Sequence, residues 1–155
     1  MIVCSNTSPI IFLSKINQLE LLNKCFSNIF VPEAVLNELI DYPTPEFINK
    51  SKISDHGKAF VTGSLGALHR GELEAIVLAR ELKADFIILD DHLARKKAQR
   101  MGIKIIGTLG VLLLACKKGF ISSHDVKHHI NTLTTQHNMF ISKTILKTVN
   151  EALDN

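Results

Sequence analysis

The sequence contains no Trp, one Tyr and only three Cys among its 155 residues. The three cysteines, Cys4, Cys25 and Cys116, are odd in number and include no Cys-x-x-Cys pair, which argues against a disulfide framework and against a zinc knuckle. Aromatic residues are so few that a stacking platform for nucleobases has little support. Because neither a disulfide framework nor a zinc site is indicated, we expect the three cysteines to be small buried apolar residues.

Long hydrophobic runs are also missing. The longest apolar segments, such as residues 111–116, are far too short to cross a bilayer. The N-terminus shows no basic segment followed by a long apolar one, so we expect no secretory signal and, by default, a cytoplasmic protein. The length and the 46% hydrophobic content predict one domain over residues 1–155, including C-terminal helices within 122–155.

The mild net charge of +3 hides a strong asymmetry along the chain. Residues 1–91 carry 12 acidic and 8 basic side chains, whereas residues 92–155 carry 3 acidic and 10 basic ones. The two parts therefore have net charges of −4 and +7. This distribution fits an acidic site for a cation beside a basic face for a polyanion, and it equally fits a solvated basic surface.

Short apolar segments alternate with segments of helical periodicity, which predicts parallel strands joined by helices. We predict strands at 2–5, 29–31, 86–89 and 103–106, and helices at 9–16, 19–25, 32–40, 72–82, 92–101, 108–118, 122–134 and 142–153. Residues 43–70 are the least periodic part of the chain. They are interpreted as a long irregular connection with a short strand near 59–62.

Polar residues follow the first and third of these predicted strands. The strand in "DFIILDDHLAR" runs into Asp90 and Asp91 at a helix start, and Asn6 follows the first strand. Because the carboxyl ends of parallel strands share one edge of a sheet, these side chains should be neighbours. Helix capping explains one of the two aspartates, and the second calls for solvent or a cation.

Two further acids could reach this edge. Glu38 and Glu74 each border an apolar helix face, where a single Glu is usually an ordinary rim residue. Several carboxylates together, without a His or Cys pattern, suit Mg²⁺ or Mn²⁺, which activate water in phosphate chemistry. A receiver-like or phosphatase-like domain with a phosphorylated Asp is an alternative, and labelling by acetyl phosphate would distinguish it.

Basic residues begin immediately after these acids. Arg95, Lys96, Lys97 and Arg100 lie on more than one face of the predicted helix, which is still the best candidate to contact an RNA backbone.

Two other C-terminal patterns are weaker indicators of function. His124 and His128 have i, i+4 spacing but no accompanying acid motif, so metal binding there is not expected. The apolar stripe of residues 141–153 could pack internally or form a homodimer interface.

Four segments of the chain resemble PIN-domain proteins. "SNTSP", "VPEAVLNEL", "GELEAIVLA" and "ILDDHLARKKAQRMGIKIIGTLGVLL" are similar to the DUF3368-type prokaryotic group, which is related to toxin ribonucleases of toxin–antitoxin pairs. The resemblance covers nearly the whole chain. It implies a three-layer α/β/α sandwich with a short, mainly parallel sheet, and an endoribonuclease in which acids bind Mg²⁺ or Mn²⁺. It also implies an antitoxin protein as a partner. The short apolar runs of the sequence separately predict no role for a membrane.

The same resemblance implies which residues form the site. The metal and catalytic positions are Asn6, Glu38, Glu74 and Asp91, with Glu72 and Asp90 as rivals for the last two. Thr7 and Ser8 match hydroxyl residues that could hold a ligand or a metal-bound water, and Arg95 and Lys96 are the nearest basic residues for RNA.

Asn6 departs from the family pattern, because the first acid of the family is usually Asp. An amide oxygen can bind Mg²⁺, but it carries no charge and cannot accept a proton from water. Three interpretations follow: a weakened or unusual metal-dependent ribonuclease, a PIN-like scaffold that binds RNA or a protein without cutting, or a deliberate replacement that silences a toxic nuclease. The other acids favour the first, because a pure scaffold has no need of them.

Overall fold

A five-stranded sheet forms the centre of the computed structural model, which describes residues 1–154. The strands are β1 (Ile2–Ser5), β2 (Asn28–Val31), β3 (Ile48–Lys50), β4 (Phe86–Ile88) and β5 (Ile105–Ile106). All neighbouring pairs are parallel, and the order is β3-β2-β1-β4-β5. In the central strand, Val3 and Cys4 are completely buried, as expected for a strand covered on both faces.

Helices flank this sheet. They are α1 (Thr7–Lys15), α2 (Glu20–Cys25), α3 (Glu33–Glu38), α4 (Asp55–Ser64), α5 (Arg70–Glu81), α6 (His92–Arg100), α7 (Thr108–Lys117), α8 (Ser123–Gln136) and α9 (Lys143–Asp154). Helix α5 packs against β1, β4, α3 and α4, and α7 packs against β5, α1, α2 and α8. The predicted α/β sandwich with a parallel sheet is confirmed. No helix within residues 1–154 has the length and apolar character needed to span a membrane.

Residues 43–70 contain regular structure that the sequence interpretation missed. The predicted strand near 59–62 is wrong, because these residues belong to helix α4, and strand β3 precedes it. The hydroxyl of Ser54 caps α4 by accepting a hydrogen bond from the backbone N–H of Gly57. A Cβ atom at Gly57 would lie 2.7 Å from Val77 Cγ1, so the glycine is what lets α4 approach α5. With only Gly57 and Val61 buried in α4, the apolar period is too weak to reveal a helix.

The remaining differences concern the ends of elements. The helix predicted over 32–40 ends at Glu38, and the strand predicted over 103–106 is only Ile105–Ile106. Helices α8 and α9 occupy the two C-terminal segments that were predicted to be helical. In α9 only Val149 is buried, and Ile145 on the same apolar stripe is half exposed.

Candidate active site

The carboxyl ends of β1, β4 and β5 bring the predicted site residues to one edge of the sheet. The backbone N–H of Asn6 donates to the carbonyl of Ile88 at 3.1 Å, which joins the ends of β1 and β4. The Asn6 side chain is only 4% exposed and makes no capping hydrogen bond to α1. Its Oδ1 is buried and has no hydrogen-bond partner within residues 1–154.

Glu38, the last residue of α3, reaches this edge from the side. The hydroxyl of Thr7 donates to Glu38 Oε2 at 2.6 Å. A Cβ atom added at Gly71 would lie 3.0 Å from Glu38 Cδ and nearer still to Oε1. The glycine at the start of α5 therefore leaves the space that the Glu38 carboxylate occupies.

Glu72, in the first turn of α5, has the most perturbed carboxyl of the site. Partial burial raises its pKa above the usual Glu value, and the charges of Asp91 and Glu38 raise the pKa further. The charge of His69 and its backbone N–H oppose this shift. Glu72 Oε2 is buried without a hydrogen-bond partner in the described part of the chain. Glu38, Glu72 and Asp91 are thus electrostatic neighbours, and together with Asn6 we refer to them as the acidic cluster.

Glu74 lies outside the acidic cluster, although the resemblance put it before Glu72. Its Oε1 accepts a hydrogen bond from the backbone N–H of Ala34 at 3.3 Å, and its Oε2 lies 3.9 Å from Arg70 Nη1. Two positions along an α-helix correspond to a rotation of about 200°, so Glu72 and Glu74 leave α5 in nearly opposite directions. Glu74 therefore satisfies one of the free N–H groups at the start of α3, that of Ala34, whereas Glu72 lies within electrostatic range of Asp91.

The adjacent aspartates have separate tasks. Asp90 accepts hydrogen bonds from Thr108 N at 2.8 Å and Thr108 Oγ1 at 2.6 Å, which ties the end of β4 to the start of α7. Asp91 Oδ2 accepts from the backbone N–H of Ala94 at 2.9 Å and so caps α6. Asp91 is exposed, and its charge raises the pKa of Glu72. Of the two rivals, Asp91 belongs to the acidic cluster and Asp90 is occupied by Thr108.

The predicted basic and hydroxyl residues differ in their exposure and in whether they lie near this edge of the sheet. Arg95 Nη1 lies 3.5 Å from the carbonyl of Leu89, and a Cβ atom at Gly107 would lie 2.8 Å from the same nitrogen. Lys96 and Ser8 are exposed. Lys97 is turned away toward α4, where its Nζ lies 5.3 Å from the centre of the Phe60 ring.

Gly71 and Thr108 also shape the site, and sequence reasoning assigned neither of them a role there. Each marks only the beginning of a helix in the sequence. The contacts of Gly71 with Glu38 and of Thr108 with Asp90 join residues far apart in the chain. Only the packing of α3 on α5 and of α7 beside β4 reveals them.

The donor atoms of the acidic cluster fit Mg²⁺ or Mn²⁺, which prefer carboxylate and amide oxygens. Buried polar atoms without partners cost free energy, and a cation would satisfy both Asn6 Oδ1 and Glu72 Oε2. Within residues 1–154, no three His, Cys, Asp or Glu side chains are gathered closely enough to form a metal-binding group by themselves. The oxygens of the acidic cluster are therefore of the chemical type that binds Mg²⁺ or Mn²⁺, but they are not gathered into a compact set of ligands.

Comparison with known proteins agrees with this fold. A family model described as DUF3368, a PIN domain, matches residues 2–155. The structure is similar to that of a PilT N-terminus domain protein from the hyperthermophilic archaeon Sulfolobus solfataricus P2, with a TM-score of 0.54 and 18% sequence identity over 72% of this chain and 90% of that one. No curated protein matches the sequence. The match of the family model over almost the entire chain shows that it belongs to the DUF3368 family of PIN domains.

Proposed function

We propose that the chain is a metal-dependent endoribonuclease that uses Mg²⁺ or Mn²⁺ at the acidic cluster. One observation carries this proposal. Asn6 Oδ1 and Glu72 Oε2 are buried without partners at the edge where Glu38 and Asp91 also lie. Nothing in the packing of the described residues explains two unsatisfied oxygens at this edge, whereas a cation-binding role does.

The protein's own residues prepare the site in three ways. Thr7 orients the Glu38 carboxylate by a hydrogen bond, and Gly71 gives that carboxylate room. Capping of α6 fixes the orientation of Asp91. Glu72 holds a proton at its carboxyl more readily than an ordinary Glu, because burial and the charges of Asp91 and Glu38 raise its pKa. A bound divalent ion would supply an activated water and would stabilise the charge on the phosphoryl oxygens.

Asn6 limits the affinity of this site for a metal ion and the rate of cleavage expected from it. Its amide oxygen can contribute a ligand without charge, so Glu38, Glu72 and Asp91 are left to balance a divalent cation. We expect a lower metal affinity and slower cleavage than an Asp at this position would give. The second candidate function, a PIN-like scaffold that binds RNA or a protein without cutting, is favoured by this same substitution.

The partners follow from the resemblance to the toxin ribonucleases. We propose RNA as the substrate, a cytoplasmic location to match it, and a toxin role in which an antitoxin protein is bound. A homodimer is proposed through the half-exposed apolar stripe of α9, where Ile145 is 51% exposed.

The test is cleavage of a mixed pool of labelled RNAs by the unchanged protein and by Asn6→Asp, each with Mn²⁺, Mg²⁺ or EDTA. Cutting by both forms that EDTA abolishes would support the proposal. Cutting only by Asn6→Asp would favour the scaffold, and no cutting by either form would contradict the nuclease proposal.

Two carboxylate variants act as a matched pair in the same assay. Asp91→Asn should abolish cutting and weaken Mn²⁺ binding, because it removes a charge from the acidic cluster. Glu74→Gln changes a carboxylate on the same sheet edge that points to Ala34, so it should cut RNA at the normal rate. Equal losses in the two variants would show that the acidic cluster is wrongly assigned.

A further inference from the structure

A groove between α4, α5 and the end of α6 is a second polar and aromatic feature of the surface. Its volume is about 340 Å³, and it is lined by His56, Phe60, Val77, Arg80, Glu81 and Met101. We refer to it as the α4–α6 groove. It is separate from the acidic cluster and shares no residue with it.

Phe60 gives this groove an accessible aromatic face. The ring is 38% exposed, and Lys97 Nζ lies 5.3 Å from its centre. A cation over a ring is weakly attracted at an exposed position, so the pair is held together only loosely. The ring is therefore available to a flat ligand that can stack against it.

The charges around the ring favour an anionic ligand. Within residues 1–154, neither Arg80 nor Lys97 forms an ion pair with a carboxylate. The acid in the groove, Glu81, is already engaged, because Ser54 donates to it from the backbone N–H at 2.8 Å and from its hydroxyl. An aromatic face beside unpaired cations is the arrangement that binds a nucleotide, with the base stacked and the phosphate neutralised.

The position of the groove connects it to the acidic cluster. Helix α6 begins directly after Asp91, and Lys97 lies six residues further along, which corresponds to about 9 Å along the helix axis. A single strand of RNA held at Asp91 and running along α6 would meet the exposed Lys96 and then Phe60.

We propose that the α4–α6 groove is an RNA-binding subsite, in which a nucleobase stacks on Phe60 and phosphates contact Arg80 and Lys97. The subsite rests on the proposed function for its substrate class, but its RNA binding needs neither a metal ion nor cleavage. Binding can therefore be measured in EDTA on the full chain, independently of activity.

The first experiment is fluorescence anisotropy with a labelled oligouridine of about ten nucleotides, within the range that single-strand binding modules occupy. Phe60→Leu keeps an apolar side chain but removes the stacking face, and it should weaken binding about tenfold. Phe60→Tyr should bind like the unchanged protein.

Phe120→Leu is the matched control. Phe120 is 42% exposed and has Lys24 Nζ 6.0 Å from its ring centre, but it lies beyond the far end of α7 and lines no part of the α4–α6 groove. Its substitution should change the affinity less than twofold. Equal affinities for Phe60→Leu and the unchanged protein, or equal losses in Phe60→Leu and Phe120→Leu, would overturn the subsite.

A second ligand separates stacking from charge. Inorganic polyphosphate has no bases, so Phe60→Leu should bind it normally, whereas Arg80→Gln and Lys97→Gln should weaken binding of both polyphosphate and RNA. Each lost phosphate contact should also lower the slope of log affinity against log salt by about one. A loss of polyphosphate binding in Phe60→Leu as large as its loss of RNA binding would contradict stacking.

Failure of the subsite is distinguishable from failure of the nuclease proposal. Metal-dependent cutting that Phe60→Leu carries out with an unchanged KM would refute the subsite and leave the nuclease intact. Absence of cutting, combined with tenfold weaker oligouridine binding by Phe60→Leu, would refute the nuclease and support the subsite.

Discussion

Replacing Gly71 with Ala is expected to disable the acidic cluster while leaving the stability of the fold nearly unchanged. The new Cβ atom would lie 3.0 Å from Glu38 Cδ and nearer still to its Oε1, so the carboxylate has to swing away from Thr7. The obstructing atoms are the far end of an exposed, flexible side chain. Helix α5 can therefore accept the methyl group without moving its backbone.

The expected change in stability is a small difference between two opposing effects. Losing the 2.6 Å hydrogen bond from Thr7 to Glu38 costs at most about 1.5–3 kcal/mol for a bond to a charged group, and less here because Glu38 is exposed. Ala stabilises a helix by up to about 1 kcal/mol relative to Gly. We expect the free energy of unfolding to change by less than about 1 kcal/mol. The Mn²⁺ affinity, by contrast, should fall about 10–100-fold, as it does when a ligand loses its orienting partner.

The assay pairs calorimetric titration with Mn²⁺ and thermal unfolding in EDTA. Gly63→Ala is the control, because a Cβ atom there meets nothing within 4 Å and the residue also lies in a helix, α4. That variant should bind Mn²⁺ normally. Normal Mn²⁺ affinity in Gly71→Ala would refute the role given to Glu38, and a large loss of stability would refute the claim that only the side chain moves.

Three further predictions concern the contacts around the site and the core. Thr108→Val should lower the free energy of unfolding by about 1–3 kcal/mol in urea melts, because Asp90 loses a hydrogen-bond donor in a partly buried place. Thr108→Ser keeps a hydroxyl and should restore the stability. Equal urea melts for the Val and Ser variants would contradict the role given to this hydrogen bond. Burial raises the pKa of Cys4 from 9.0 to about 12, so the unfolded thiol ionises first and the free energy of unfolding should fall by about 1.4 kcal/mol per pH unit from this group between those values. Cys4→Ala has no ionisable thiol, so the difference between its pH profile of stability and that of the unchanged protein isolates the contribution of Cys4. Identical pH profiles would show that the thiol is not responsible. Glu72→Gln should raise the melting temperature in EDTA at neutral pH, because it removes a carboxylate whose charged form is disfavoured by burial and by Asp91. This gain should fade as pH falls from the raised pKa of Glu72 toward the ordinary pKa of Glu, and it should be absent below the ordinary value. Glu74→Gln should lower the melting temperature by weakening the bond to Ala34.

Four of the five strands, β1, β2, β4 and β5, could be predicted because they are short, apolar and separated by helices of clear periodicity, whereas β3 was missed. Parallel pairing then places residues that follow β1 and β4 at one edge, so Asn6 and Asp91 could be grouped without a structure. Helix α4 could not be predicted in this way. Its buried positions include Gly57, which has no side chain to mark an apolar face, and its fit against Val77 exists only in the folded protein.

The choice between Glu72 and Glu74 shows why the site itself was harder to predict than the sheet. Both residues flank buried Leu73, so the apolar pattern of α5 allows either of them to face the acids. Which of the two residues joins the acidic cluster depends on where α3 packs on α5. The backbone N–H of Ala34 donates a hydrogen bond to Glu74, and Glu72 is the residue that lies within electrostatic range of Asp91. Contacts between helices distant in sequence leave no trace in the local pattern.

Asn6 is explained by the acidic cluster better than by the fold. Its backbone N–H holds β4 through Ile88, a bond that any residue except Pro could make, and its side chain does not cap α1. An Asp here would add a charge at the same sheet edge as the Glu72 carboxyl, whose pKa is already raised by burial and by Asp91 and Glu38. Asn6→Asp should therefore lower the melting temperature in EDTA and give a larger increase than the unchanged protein when Mn²⁺ is added. An equal Mn²⁺-dependent increase in both proteins would mean that position 6 does not face the cation, and that its buried oxygen lacks a partner for another reason.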